Sequence, residues 1–151
     1  MPSNYAPGDF IVVPAFIYKI GLTAKEIAIL TYLNNSAFNK NYPDLTWKSY
    51  SSIQASCGCT RQDVANAVKL FESCRLVSIT RAGQGNDANR PTFKKGGYVH
   101  NNIYKLYKYQ PDEIKTLKAA IVRARCRMIQ ERIERGARVS VKELKFLQKN
   151  C

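Results

Sequence analysis

The chain has 151 residues, 45% of them apolar, and its 24 Lys and Arg outweigh 11 Asp and Glu for a net charge of +13. That length suits one domain with an appendage, and no apolar run approaches the roughly 20 residues that a bilayer crossing needs. So large a basic excess implies a polyanionic partner, because clustered cations gain free energy by releasing counterions from phosphates.

Residues 1–9, with Pro2, Pro7 and Gly8, read as a flexible arm. "FIVVP" reads as a short strand stopped by Pro14. It lacks the basic flank of a signal peptide, so a soluble cytoplasmic protein is expected. "AFIYKIG" follows as a short helical turn ending at Gly21. Thr23 and Glu26 form a capping-box signature, which opens a helix with Ile27, Leu30 and Leu33 as its buried stripe and Ala24, Ala28 and Ala37 allowing close approach. "NKNYPDLTW" reads as a polar loop. Ser49 then caps a short helix anchored by Ile53 and ended by Gly58, a residue able to take positive φ.

Thr60 restarts the helix, with Asp63 in the acidic position of its cap. Val64, Ala67, Val68 and Phe71 recur at spacings of three and four and make one buried face. Arg61, Gln62, Ala65, Asn66 and Lys69 fall on the opposite, exposed side. "LVSITR" and "YVHNNIYKLYKY" read as paired strands, and "AGQGNDANRPTFKKGG" between them as a long, cation-rich hairpin tip.

Pro111, with Asp112 and Glu113 behind it, is a helix start, and the helix should run to about Arg135 and stop at Gly136. Ser140 and Glu143 cap a final helix through about Lys149. This extension holds eleven cations against five acids. Its stripe of Ile114, Leu117, Ile121, Ala124 and Met128 should either form a homodimer or fold back on the first helix.

The five cysteines, at positions 57, 59, 74, 126 and 151, are odd in number. That count argues against a disulfide framework and for reduced thiols. A zinc site from Cys57, Cys59, Cys74 and His100 is the metal alternative, but the spacing is not the paired C-x-x-C that zinc sites favour. Cys57 and Cys59 flank the turn glycine and read better as small packing residues. His100 is the single histidine, so a Ser-His-Asp arrangement would depend on it alone. "PDEIK" superficially resembles nuclease acidic residues, yet it is contiguous and is explained by helix initiation. No phosphate-binding G-x-x-x-x-G-K-[ST] loop is present. No catalytic site and no cofactor are expected.

The element order is strand, helices, a short helix, a glycine turn, a helix, and a hairpin with a basic tip. Residues 53–77, "IQASCGCTRQDVANAVKLFESCRLV", resemble the helix-turn-helix signature of bacterial and phage winged-helix proteins. Ile53, Ala55, Gly58, Thr60, Val64, Ala67, Val68, Phe71, Leu76 and Val77 fall at or near the patterned positions. "VVPAFIYKIGLTAKEIAILTYL" is similar to the lead-in of replication-initiator-like domains. The resemblance implies an α+β winged helix-turn-helix over residues 10–109, with residues 110–151 as a basic helical extension. It departs from the pattern at Arg75, where glycine is usual, so that this corner should be built differently and Arg75 could face phosphate. It departs again at Asp63, which replaces the usual Thr.

The function so implied is sequence-specific binding of double-stranded DNA, in plasmid or phage replication or in transcription regulation. The helix opened by Thr60 would enter the major groove with its amino end nearest the bases. Arg61 can bond guanine and Gln62 adenine through two hydrogen bonds each. Ala65, Asn66 and Lys69 would lie along the groove wall. Lys48, Ser49 and Tyr50 start the bracing helix, whose amides favour phosphate. Arg81, Arg90, Lys94 and Lys95 would serve the wing. An RNA- or ribosome-associated binder and a protein-interaction adaptor are the alternatives.

Overall fold

The structure, a computed structural model, describes residues 13–37, 44–81 and 101–151. Among these residues it is an α+β fold of five α-helices and one three-stranded antiparallel sheet. Of the expected strand at 10–14, Val13 and Pro14 are described and lie in none. A 3₁₀ turn at Ala15–Tyr18 follows, and it buries Phe16 and Ile17.

Helix α1 spans Ala24–Ser36. The Thr23 hydroxyl accepts from the Glu26 amide at 3.3 Å and the Glu26 carboxylate accepts from the Thr23 amide at 2.8 Å, completing the expected box. Its buried side chains are Ile29, Leu30, Thr31 and Leu33. Ile27 is only half-buried, and Ala24 and Ala28 are exposed. The buried face is thus rotated from the expected stripe, because α1 meets both α2 and α3 and its inward direction lies between them.

The segment read as a polar loop contains strand β1, Leu45–Thr46. Helix α2 covers Tyr50–Cys57, capped by Ser49, and Gly58 ends it in the left-handed conformation at φ 63°. Helix α3 covers Arg61–Ser73 behind a complete Thr60–Asp63 box. It buries Val64, Ala67, Val68, Leu70 and Phe71. Four of these were expected from spacing; Leu70 widens the face toward α4.

Strands β2 (Val77–Thr80) and β3 (Ile103–Leu106) are shorter than expected and pair antiparallel, Val77 opposite Leu106 and Thr80 opposite Ile103. β1 adds to the other side of β3, giving the order β1-β3-β2. The expected hairpin tip from Ala82 onward lies outside the described residues.

Arg75 corrects an expectation. The corner after α3 is not built differently: Arg75 itself takes the glycine conformation, at φ 64°. The Leu76 amide donates to Phe71 O at 2.9 Å and the Arg75 amide to Glu72 O at 3.3 Å. These are the two bonds of a Schellman end. The Tyr109 hydroxyl holds the Arg75 carbonyl at 2.6 Å. Such a conformation costs a residue with a Cβ about 1–2 kcal/mol.

After a 3₁₀ turn at Pro111–Glu113, helix α4 runs Ile114–Glu134 and ends at Gly136, φ 74°. Helix α5 follows at Val141–Asn150, capped by Ser140. The apolar stripe of α4 folds back: Leu117, Ile121 and Ala124 join the same core as Ile29, Phe71 and Leu76. Met128 is half-buried, whereas Cys126 and Ile129 are buried. The homodimer expected through this stripe therefore loses its apolar surface to the chain's own core. The expectation of reduced thiols is corrected as well, since Cys126 and Cys151 are joined in a disulfide, Cα–Cα 6.2 Å. Spacing could not announce this bridge, because it depends on α5 doubling back along α4.

No helix among the described residues is long and apolar enough to cross a membrane.

Candidate nucleic-acid interface

The rigid part of the site is set by backbone chemistry. Gly58 lets the chain reverse after α2, and the Thr60 hydroxyl takes the Asp63 amide at 3.1 Å. That hydroxyl serves the cap of α3. Hydrogen bonds from the Thr60 backbone first, then its side chain, hold the Asp63 carboxyl below its ordinary range, outweighing desolvation; Lys25, 3.3 Å away, adds to this. Asp63 is thus a cap, which leaves the phosphate contact usual for Thr at that position without a donor.

The expected flank of α3 is on the outside. Arg61, Gln62, Asn66 and Lys69 are exposed, and Ala65, expected to be exposed, is half-buried. Gln62 Nε2 donates to Asn66 Oδ1 at 2.9 Å, so these two present one surface a turn apart. Arg61 lies over the Tyr50 ring, 5.1 Å from its centroid. This cation–π contact joins the amino end of α3 to the start of α2 and restrains the guanidinium at the protein surface.

Other expected contacts are already engaged within the chain. Lys69 Nζ donates to Glu131 on α4 at 2.9 Å, and this bond lowers the Glu131 carboxyl. Arg81 donates through both terminal nitrogens to Glu72, at 2.8 and 2.9 Å. The Glu72 carboxyl is lowered and the Arg81 guanidinium raised by this fork. Both pairs are exposed and in exchange with water, so each is weak. Arg90, Lys94 and Lys95 lie outside the described residues. Arg75, expected to face phosphate, sits at the far end of α3 from Arg61, on the order of 20 Å along the axis.

The start of α2 is richer than the sequence suggested. Lys48, Ser49 and Ser52 border a polar cleft of about 400 Å³ with Thr46, Trp47 and Asn101. The Ser49 hydroxyl accepts from the Ser52 amide at 3.1 Å, while the first two helical amides have no acceptor inside the helix. Thr46 is 2% exposed, and its hydroxyl finds no hydrogen-bond partner among the described residues. A buried hydroxyl left this way is costly. Thr46 was missed because a two-residue strand carries no readable alternation; only its place two residues before Lys48 hinted at it.

The metal alternative finds no geometry among the described residues, where no cluster of three or more potential ligands occurs. Cys57 and Cys59 pack against the core edge. Cys57 Sγ donates to Ala28 O at 3.6 Å, and burial first, then the Cys59 sulfur, pushes its thiol up. Cys74 lies buried at the opposite end of α3, and His100 is outside the described residues.

Compared with known proteins, the chain matches no protein family, no curated protein and no solved structure.

Proposed function

We propose that the chain is a winged helix-turn-helix protein that binds double-stranded DNA in a sequence-specific way, with α3 offered to the major groove. One observation carries the reading. The exposed Arg61-Gln62-Asn66 flank of α3 and the polar cleft at the start of α2 are joined by the stacking of Arg61 on Tyr50. The flank supplies groups that distinguish base edges. The cleft supplies helix amides and Lys48 for a backbone phosphate. The net charge of +13 supplies the long-range attraction.

In this reading β2 and β3 form the base of the wing, and residues 111–151 brace α3 while adding cations. The protein acts by binding and not by catalysis. The resemblance in residues 53–77 favours control of plasmid or phage replication or of transcription. Because the α4 stripe is used internally, a homodimer reading paired half-sites would form through other surface, for which the exposed Ile133, Val141 and Leu144 are candidates.

The test is selection of bound sequences from a random duplex pool at physiological salt. An enriched motif is expected, and Arg61→Ala with Gln62→Ala should reduce preference for it by about tenfold or more. Lys48→Ala should weaken all duplexes alike and lower the salt slope by about 1. A pool that stays random, with the double variant unchanged, rejects the proposal.

A further inference from the structure

A second cleft, of about 560 Å³, opens between the start of α1, α3, α4 and α5. Its size is in the range of small-molecule sites. Its floor is apolar, made by Leu22, Leu70, Met128, Ile129 and Phe146. Its rim is cationic, with Lys69, Arg125, Arg132, Arg135 and Lys142 against Glu26 and Glu143.

Three of these cations are matched: Arg125 with Glu26, Arg132 with Glu143, and Lys69 with Glu131. Arg135 and Lys142 form no ion pair among the described residues. Both are exposed at the mouth, one just past the end of α4 and the other in the first turn of α5. Arg135 is close enough to Glu131 to help lower its carboxyl, but that carboxylate is already bonded to Lys69. The cleft thus joins two unmatched positive charges to an apolar floor. A phosphodiester strand satisfies the first feature and leaves the floor wet. A molecule with a carboxylate head and a hydrocarbon body satisfies both, since its apolar body would remove the floor from water.

One wall can adjust to a guest. Helix α5 has no fully buried residue. It is held to α4 by the Arg132–Glu143 pair, the disulfide and half-buried Phe146 and Leu147. Elements with so little buried surface open at low free energy.

We propose that this cleft binds a small amphipathic carboxylate, its head group between Arg135 and Lys142 and its apolar body against Leu70, Met128 and Phe146. Asn66 and Lys69, on the near wall, belong to α3, so occupancy would reach the flank assigned to DNA. That consequence rests on the proposed function; the binding itself does not.

The test is calorimetric titration of the full chain, without DNA, using octanoate, 1-octanol and inorganic phosphate as probes. Saturable one-to-one binding of octanoate with a Kd below about 1 mM is expected. 1-Octanol and phosphate should each bind at least about tenfold more weakly. Arg135→Ala with Lys142→Ala, both surface changes, should keep the melting temperature and weaken octanoate by about tenfold. No saturable octanoate binding overturns the proposal. So does equal affinity for the alcohol or for phosphate, or a double variant that binds as before. Because no DNA is present, failure of this site and failure of the DNA reading are separate results.

Discussion

The pairs α2–α3 and α4–α5 use nearly the same local grammar and come to different ends. Each is joined through a left-handed glycine, Gly58 or Gly136. Each second helix is reopened by a capping box, Thr60 with Asp63 or Ser140 with Glu143. Yet α3 buries five side chains, whereas α5 has none fully buried and is fastened by one ion pair, one disulfide and the half-buried Phe146 and Leu147. Caps decide where a helix starts, because they satisfy amides within one turn. They do not decide how firmly it docks, which depends on apolar area covered by distant elements. The firmly docked helix carries the flank assigned to DNA; the loosely docked one walls the second cleft.

The comparison is broken most sharply in the cores of the two pairs. Phe71→Ala on α3 should lower unfolding free energy by about 3–5 kcal/mol. Phe146→Ala on α5, a half-buried position, should cost only about 1 kcal/mol. Urea denaturation measures both, and equal losses would mean that α5 is docked as firmly as α3.

Next comes the fastening. Reducing the Cys126–Cys151 bridge, which closes a separation of 25 residues, or changing Cys151→Ser, removes a constraint worth up to about 3.5 kcal/mol in the chain-entropy account. The loss should appear locally, as faster amide exchange across 141–150 with little change in α3. Uniform acceleration across the molecule would show instead that α5 unfolds only with the whole.

A smaller effect separates the two Schellman ends. Ala137 donates to Arg132 O at 2.9 Å after Gly136, as Leu76 donates to Phe71 O at 2.9 Å after Arg75. Only the second end asks a side-chain-bearing residue to hold φ 64°. Arg75→Gly should therefore stabilise by about 0.5–1 kcal/mol, relief of strain being partly offset by a freer unfolded chain. A melting temperature that falls would mean that the Arg75 side chain contributes more than its backbone costs.

The smallest effect concerns acid. Burial alone would raise the Glu26 carboxyl, but hydrogen bonds from Arg125 and the Thr23 amide outweigh it and hold the carboxyl below its ordinary value. A lowered folded-state pKa contributes stability that is complete above the ordinary glutamate value. It is lost as pH falls through the lowered one. Melting temperatures should thus decline with acid over that interval, and Glu26→Gln should flatten the decline. An unchanged pH profile in the variant would remove the Arg125 tie between α4 and α1 from the account.

The helix starts were legible in the sequence because capping is local. Thr23, Ser49, Thr60 and Ser140 each announce a helix within four residues of themselves. The α3 faces were legible too, since a 3.6-residue period sorts Val64 and Phe71 from Arg61 and Gln62. Strand β1 was not, being two residues in a polar stretch that becomes a strand only when β3 arrives beside it.

By itself, then, the sequence determined where helices begin, that Gly58 and Gly136 end two of them, which face of α3 is apolar, and the excess of positive charge. Only the tertiary structure decided that the α4 stripe would serve its own core, that Lys69 would meet Glu131, and that Cys151 would return to Cys126. The reason is range. Caps and periodicity act within a turn or two of chain, whereas Lys69 and Glu131 stand 62 positions apart. Their meeting follows from how α3 and α4 cross, which no local pattern encodes.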